Sequence, residues 1–190
     1  DTITSPTTGN FKFFAKDNAF VQLIKITITT EVSVNEGAML RMDGVTLNGY
    51  VEVNNNATFL SHDSNITSVN DDPAIRVKAN SHVHIENSNI TGSSSGYEAI
   101  WLWNNGSIML QGTSSVTAPS GTSAISLTTA SSAVINDDVQ INSVDQTAIY
   151  MDKNSVVELN DNVAITRSDG NDEIFVDPTS ALRINGSDIT

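Results

Sequence analysis

From Ala74 the chain reads AIRVKANSHVHI, from Ala99 AIWLWNNGSIML, from Ala124 AISLTTASSAVI, from Ala148 AIYMDKNSVVEL and from Glu173 EIFVDPTSALRI. Each stretch holds two short alternating segments joined by a small turn. The same frame runs backwards through YVEVNNNATFLS at Tyr50 and EVSVNEGAMLRM at Glu31. Coils therefore begin at 31, 50, 74, 99, 124, 148 and 173, with lengths by subtraction of 19, 24, 25, 25, 24 and 25, and a last partial coil of 18. A repeat of this length marks a stacked architecture in which each unit completes its core against its neighbours.

Within a coil the second and fourth positions are apolar, as in Ile75 with Val77, Ile100 with Leu102 and Ile149 with Met151. Period-two alternation turns both inward. The tenth and twelfth positions repeat the pattern, as in Val83 with Ile85 and Ile108 with Leu110. A third apolar site follows at Ile66, Ile90, Val116, Ile141, Ile165 and Ile189. Three inward segments per coil predict an all-β, right-handed parallel β-helix of about seven coils, triangular in section. A β-sandwich needs no fixed column at this period.

Composition agrees. Only 38% of residues are hydrophobic, enough for one continuous core and short of two. Domain organisation follows: residues 31–190 form the helix, read as complete or as a piece of a longer solenoid. Residues 1–30 fall outside the frame, and Phe11, Phe13, Phe14 and Phe20 are expected to cap the first coil against edge pairing. The final stretch LRINGSDIT stops within a coil, so an open stack edge and end-to-end or lateral self-association are expected there.

The net charge of −13 repels phosphate backbones and anionic lipid, which excludes nucleic acid as a partner. No apolar run approaches the roughly 20 residues of a membrane-spanning helix, so this segment is not expected to insert in a membrane. The chain opens on Asp1, without a basic-then-apolar signal segment, and reads as a processed form or a piece of a longer protein. The absence of Cys removes disulfides and thiolate metal sites. Few lysines and many Asn and Thr residues point to a secreted or surface-exposed location.

The stretches GSIMLQGTSSVTAPSGTSAISL (106–127) and NSVVELNDNVAITRSDGNDEIFV (154–176) resemble the passenger regions of bacterial autotransporters and related β-helical surface adhesins. The resemblance covers roughly residues 31–190 and is one of texture, shared with the pectin-lyase-like superfamily at large. It implies an extracellular β-helical rod, and it carries no mechanism.

Outward positions of the first strand form columns along the rod. The third position reads Glu52, Arg76, Trp101, Ser126, Tyr150, Phe175, and the fifth reads Asn54, Lys78, Trp103, Thr128, Asp152, Asp177. Both tryptophans fall on one face, beside Arg76 and Lys78. Exposed rings offer flat apolar surfaces to a sugar or a protein receptor. The expected binding set is Trp101, Trp103, Tyr150, Phe175, Arg76 and Lys78, and the expected function is an adhesin or scaffold with a lateral binding face. The alternatives for the same rings are coverage by a loop or the N-terminal segment, and plain stacking that stabilises the sheet.

Asp71 and Asp72 are weak catalytic candidates. In pectin hydrolases of the resembling superfamily, paired aspartates activate water and protonate the leaving oxygen while an Arg-x-Lys pair holds the uronate. Here NDDP and IRVK match two such strings but lie on nearly one coil, and the Gly-His-Gly string is absent. An Asp-Asp-Pro turn is the plainer reading, with His82 and His84 as ordinary strand positions. A polysaccharide-active enzyme or tailspike fragment is thus the second function, and an end-to-end polymerising subunit the third. The turns Asp137-Asp138, Asn160 to Asn162 and Asp169 to Asp172 offer oxygens for calcium, though the glycine-rich calcium nonapeptide is missing and no cofactor or metal is required. Asn-x-Ser/Thr sequons stand at Asn56, Asn65, Asn89, Asn105 and Asn185, and matter only in a eukaryotic secretory pathway.

Overall fold

The computed structural model describes residues 2–4, 12–119, 121–144, 146–168, 173–186 and 188–189. Its regular elements are strands, arranged in three parallel sheets of eight, eight and nine strands. The first sheet, here face I, takes the opening strand of each rung: Lys12–Ala15, Glu31–Val34, Val51–Val53, Ile75–Lys78, Ile100–Trp103, Ile125–Thr128, Ile149–Met151 and Ile174–Val176. Face II runs from Phe20–Ile24 to Ala181–Asn185, and face III from Thr2–Thr4 to Asp188–Ile189. Each strand pairs with those one rung before and after. That is a parallel β-helix.

The ladder register reproduces the spacing read from the sequence. On face I, Val32 pairs Val51, Val51 pairs Ile75, Ile75 pairs Ile100, Ile100 pairs Ile125, Ile125 pairs Ile149 and Ile149 pairs Ile174. On face III, Ile66, Ile90, Val116 and Ile141 stand in one file. Residues of one inward file thus meet the same residue type on neighbouring rungs. Val77, Ile85, Ile90, Ile100, Leu102, Leu110, Ile125 and Leu127 are wholly shielded from solvent. Burial of each such side chain contributes roughly 1.5–3 kcal/mol before conformational entropy is charged against it.

Residues 12–29 build one more rung rather than a separate cap. Lys12–Ala15 pairs Glu31–Val34, Phe20–Ile24 pairs Met39–Asp43, and Thr27–Thr29 pairs Thr46–Asn48. The spacing from Lys12 to Glu31 is 19, equal to that of the coil from Glu31 to Tyr50. Phe13 packs on the core, Phe14 and Phe20 are more than half exposed, and Phe11 lies outside the described residues. The rung count thus differs slightly from seven.

Rung length is decided at one corner. Between faces I and II a tight turn recurs with paired left-handed residues: Asn55 with Asn56, Ala79 with Asn80, Asn104 with Asn105, Thr129 with Ala130, and Lys153 with Asn154. Asn tolerates this conformation best among non-glycine residues, which explains its abundance in the chain. Between faces II and III one left-handed residue suffices, such as Asp63, Asn87, Gly112 or Asp137. Between face III and the next rung the link is residue 30 alone or residues 49–50 in the short rungs, but residues 68–74 and 92–99 in the long ones. Buried serines secure the corners, accepting backbone hydrogen bonds across rungs: Ser64 Oγ from Val45 N–H at 3.0 Å, Ser81 Oγ from Ala57 at 3.2 Å and Ser88 Oγ from Ser64 at 3.1 Å. Each would otherwise leave an orphaned donor.

Candidate functional site

The outward column of face I is assembled by ladder register. Glu52 pairs Arg76, Arg76 pairs Trp101, Trp101 pairs Ser126, Ser126 pairs Tyr150 and Tyr150 pairs Phe175. Lys78, Trp103 and Thr128 make the parallel column two residues on. The expected binding residues therefore occupy one face. Strand alternation sends Ile75, Val77, Ile100 and Leu102 inward and leaves these six outside.

The rings form two stacks. Trp101 and Trp103 lie with centroids 5.8 Å apart and planes within 7°. Tyr150 and Phe175 lie 4.9 Å apart and within 9°. Between the stacks sits Ser126, 5% exposed, whose hydroxyl donates to Glu98 Oε1 at 3.3 Å. The stacking alternative is thus real, yet it does not consume the surface. Trp103 stays 43% exposed, Tyr150 36% and Phe175 42%, with Tyr97 from the preceding corner at 40%. No described loop lies over them.

The cations are already engaged. Arg76 donates to Asp72 Oδ1 at 2.7 Å and to Glu52 Oε2 at 3.4 Å, and its guanidinium sits 5.4 Å from the Trp101 ring centroid. Lys78 Nζ lies 3.1 Å from Glu52 Oε1. These side chains are about one-fifth to one-third exposed, so the network is partly shielded from salt. Farther up, Lys12 pairs Glu31, and that contact raises the Lys12 pKa. Tyr50 lies beside this group; burial first, then the charges of Glu31, Asp72 and Glu52, push its phenol up to about 12.

Asp72 is thus held as a strut between the corner and Arg76. Its backbone carbonyl also accepts from Ser68 Oγ at 2.6 Å. Asp71 is exposed beside it. Two of the turn oxygens expected for calcium take part in rung-to-rung bonds: Asp137 Oδ2 accepts from Gly112 N–H at 2.9 Å, and Asp138 Oδ1 accepts from Asn162 Nδ2 at 3.1 Å. Asp169 to Asp172 lie outside the described residues. Among the described residues, no three His, Asp or Glu side chains converge on a point that would hold a metal.

Face II carries a feature that the sequence reading passed over. Leu60, His84, Met109 and Val134 form an outward file flanked by Thr58, His82, Ser107 and Ser132, lining a shallow groove of about 330 Å³. His82 Nδ1 and Ser107 Oγ share a hydrogen bond of 2.5 Å across it. The signal available in the sequence was the eleventh position of each coil, the outward residue between the inward tenth and twelfth.

No family model, curated protein or solved structure matches the chain. Fold and site together define its class as a parallel β-helix with a partly exposed aromatic file on one sheet.

Proposed function

We propose that the chain is a secreted or cell-surface β-helix that acts as an adhesive or scaffolding module through the outward side of face I. The observation that carries this reading is the pair of ring stacks, aligned by ladder register and open to solvent. Exposed aromatic patches of this kind are uncommon on surfaces without a partner, and the ladder holds them rigidly, so little side-chain freedom is lost on binding. Arg76 and Lys78 serve the face as supports rather than as ligands: Glu52 and Asp72 hold them, and Arg76 braces Trp101 through its ring.

The test is binding of the purified protein to a glycan array and to intact cells, with a Trp103→Ala, Tyr150→Ala, Phe175→Ala variant as comparison. Loss of at least tenfold in apparent affinity, with an unchanged β-sheet circular dichroism spectrum, is expected. Unchanged retention by glycans and cells would place the function elsewhere.

A further inference from the structure

We infer that the ligand of face I is an uncharged glycan chain laid along the rod axis, bound by ring stacking and by hydrogen bonds to carboxylates. The inference rests on the reading of face I as a binding surface.

Recognition of an acidic sugar requires cations whose charge is still available, best delivered by Arg or Lys donors to the carboxylate or sulfate. The cations in the described strands of face I are Lys12, Arg76 and Lys78, and each has a carboxylate partner on the same face. Glu52 alone serves both Arg76 and Lys78. A uronate arriving there would have to displace an existing ion pair. It would also approach a molecule of net charge −13.

Apart from Arg76 over Trp101 and Lys153 in the turn near Asp177, the polar groups beside the rings are carboxylates. Glu98 meets Ser126 in the notch between the two stacks, and Asp152 and Asp177 continue the fifth-position column beside Tyr150 and Phe175. Asp177 accepts from the N–H and hydroxyl of Thr179, bonds that hold its carboxyl below the usual range, with help from Lys153 in the neighbouring turn. Carboxylates accept hydrogen bonds from sugar hydroxyls, and aromatic faces take the apolar C–H side of a pyranose. Trp101 and Tyr150 stand two rungs apart, about 9.6 Å at the usual strand spacing. That is close to the length of a disaccharide unit, so one chain can reach both stacks.

Titration calorimetry and array binding with matched neutral and uronate-bearing oligosaccharides test this. Wild-type protein should prefer the neutral chains at least tenfold, with little change between low and physiological salt. Glu52→Gln, which frees Lys78 and removes one of the two carboxylate partners of Arg76, should raise binding of the acidic chains severalfold. Preference for acidic chains that disappears with the Trp103, Tyr150 and Phe175 substitutions would overturn the uncharged ligand while keeping the face. Binding of neutral chains untouched by those substitutions would overturn the face as well.

Discussion

A methyl group added at Gly106 would stand 2.6 Å from the Val77 carbonyl oxygen of the preceding rung. That oxygen is backbone and cannot rotate away, so Gly106→Ala must push two rungs apart. An overpacking penalty of about 1–3 kcal/mol is expected, read as a lowered denaturant midpoint. Tyr50 gives a second residue-level outcome. Its folded-state pKa of about 12 exceeds the ordinary 10.0, so the neutral phenol is favoured by folding. The resulting stability is fully present below pH 10.0 and is lost as pH rises through about 12. Tyr50→Phe should therefore flatten the fall in stability across that alkaline interval, measured by chemical denaturation at successive pH values. Asp43 works in the other direction. Its hydrogen bonds from Arg41 first and Gln22 next hold its carboxyl low, so the stability it contributes fades as pH drops below the usual aspartate range.

At the scale of the element, the strands and their inward files were legible because alternation is a strong code and the rungs repeat it in register. Ile75, Ile100 and Ile125 are paired as their spacing in the chain requires. The first rung was not legible, because Lys12 to Ala15 reads KFFA, with Phe13, Phe14 and Ala15 apolar in succession, so the alternation that marks the other opening strands is masked. The aromatic face was legible as a column, since outward positions follow directly from inward ones. Its electrostatics were not, because the Glu52 link to Lys78 depends on side-chain reach between rungs 24 and more residues apart. Asparagine ladders are a further product of the register. Asn160 Nδ2 donates to Asn136 Oδ1 at 2.9 Å, and Asn185 Nδ2 donates to Asn160 Oδ1 at 2.8 Å. Asn160→Ala severs both bonds at a partly exposed site, and a loss of about 0.5–1.5 kcal/mol is expected in the same denaturation assay.

For the whole molecule, stability is a sum of rung terms and of contacts between neighbouring rungs. Interior rungs have two neighbours, and their inward residues are sealed: Leu102, Ile125 and Leu127 show no solvent contact. In the last described rung the corresponding positions are open, with Val176 at 37% and Ile184 at 46%. Amide hydrogen exchange should accordingly be slowest for residues 75–160 and faster by orders of magnitude for 12–24 and 173–186. Uniform protection from end to end would contradict this picture and indicate a single cooperative block.

The corner that links face III to the next rung has a consequence for how such a chain can change. It shrinks to residue 30 alone in one rung and spans residues 92–99 in another, yet Val32, Val51, Ile75 and Ile100 keep one unbroken file. Extra length is absorbed there without cost to alignment, while the left-handed pairs of the opposite corner admit no such freedom. Segments spliced in at this corner emerge directly beside the rings of face I, as Tyr97 and Glu98 already do. The molecule thus separates a fixed scaffold from an editable margin, and new specificity can be grafted beside the aromatic file while the scaffold stays as it is.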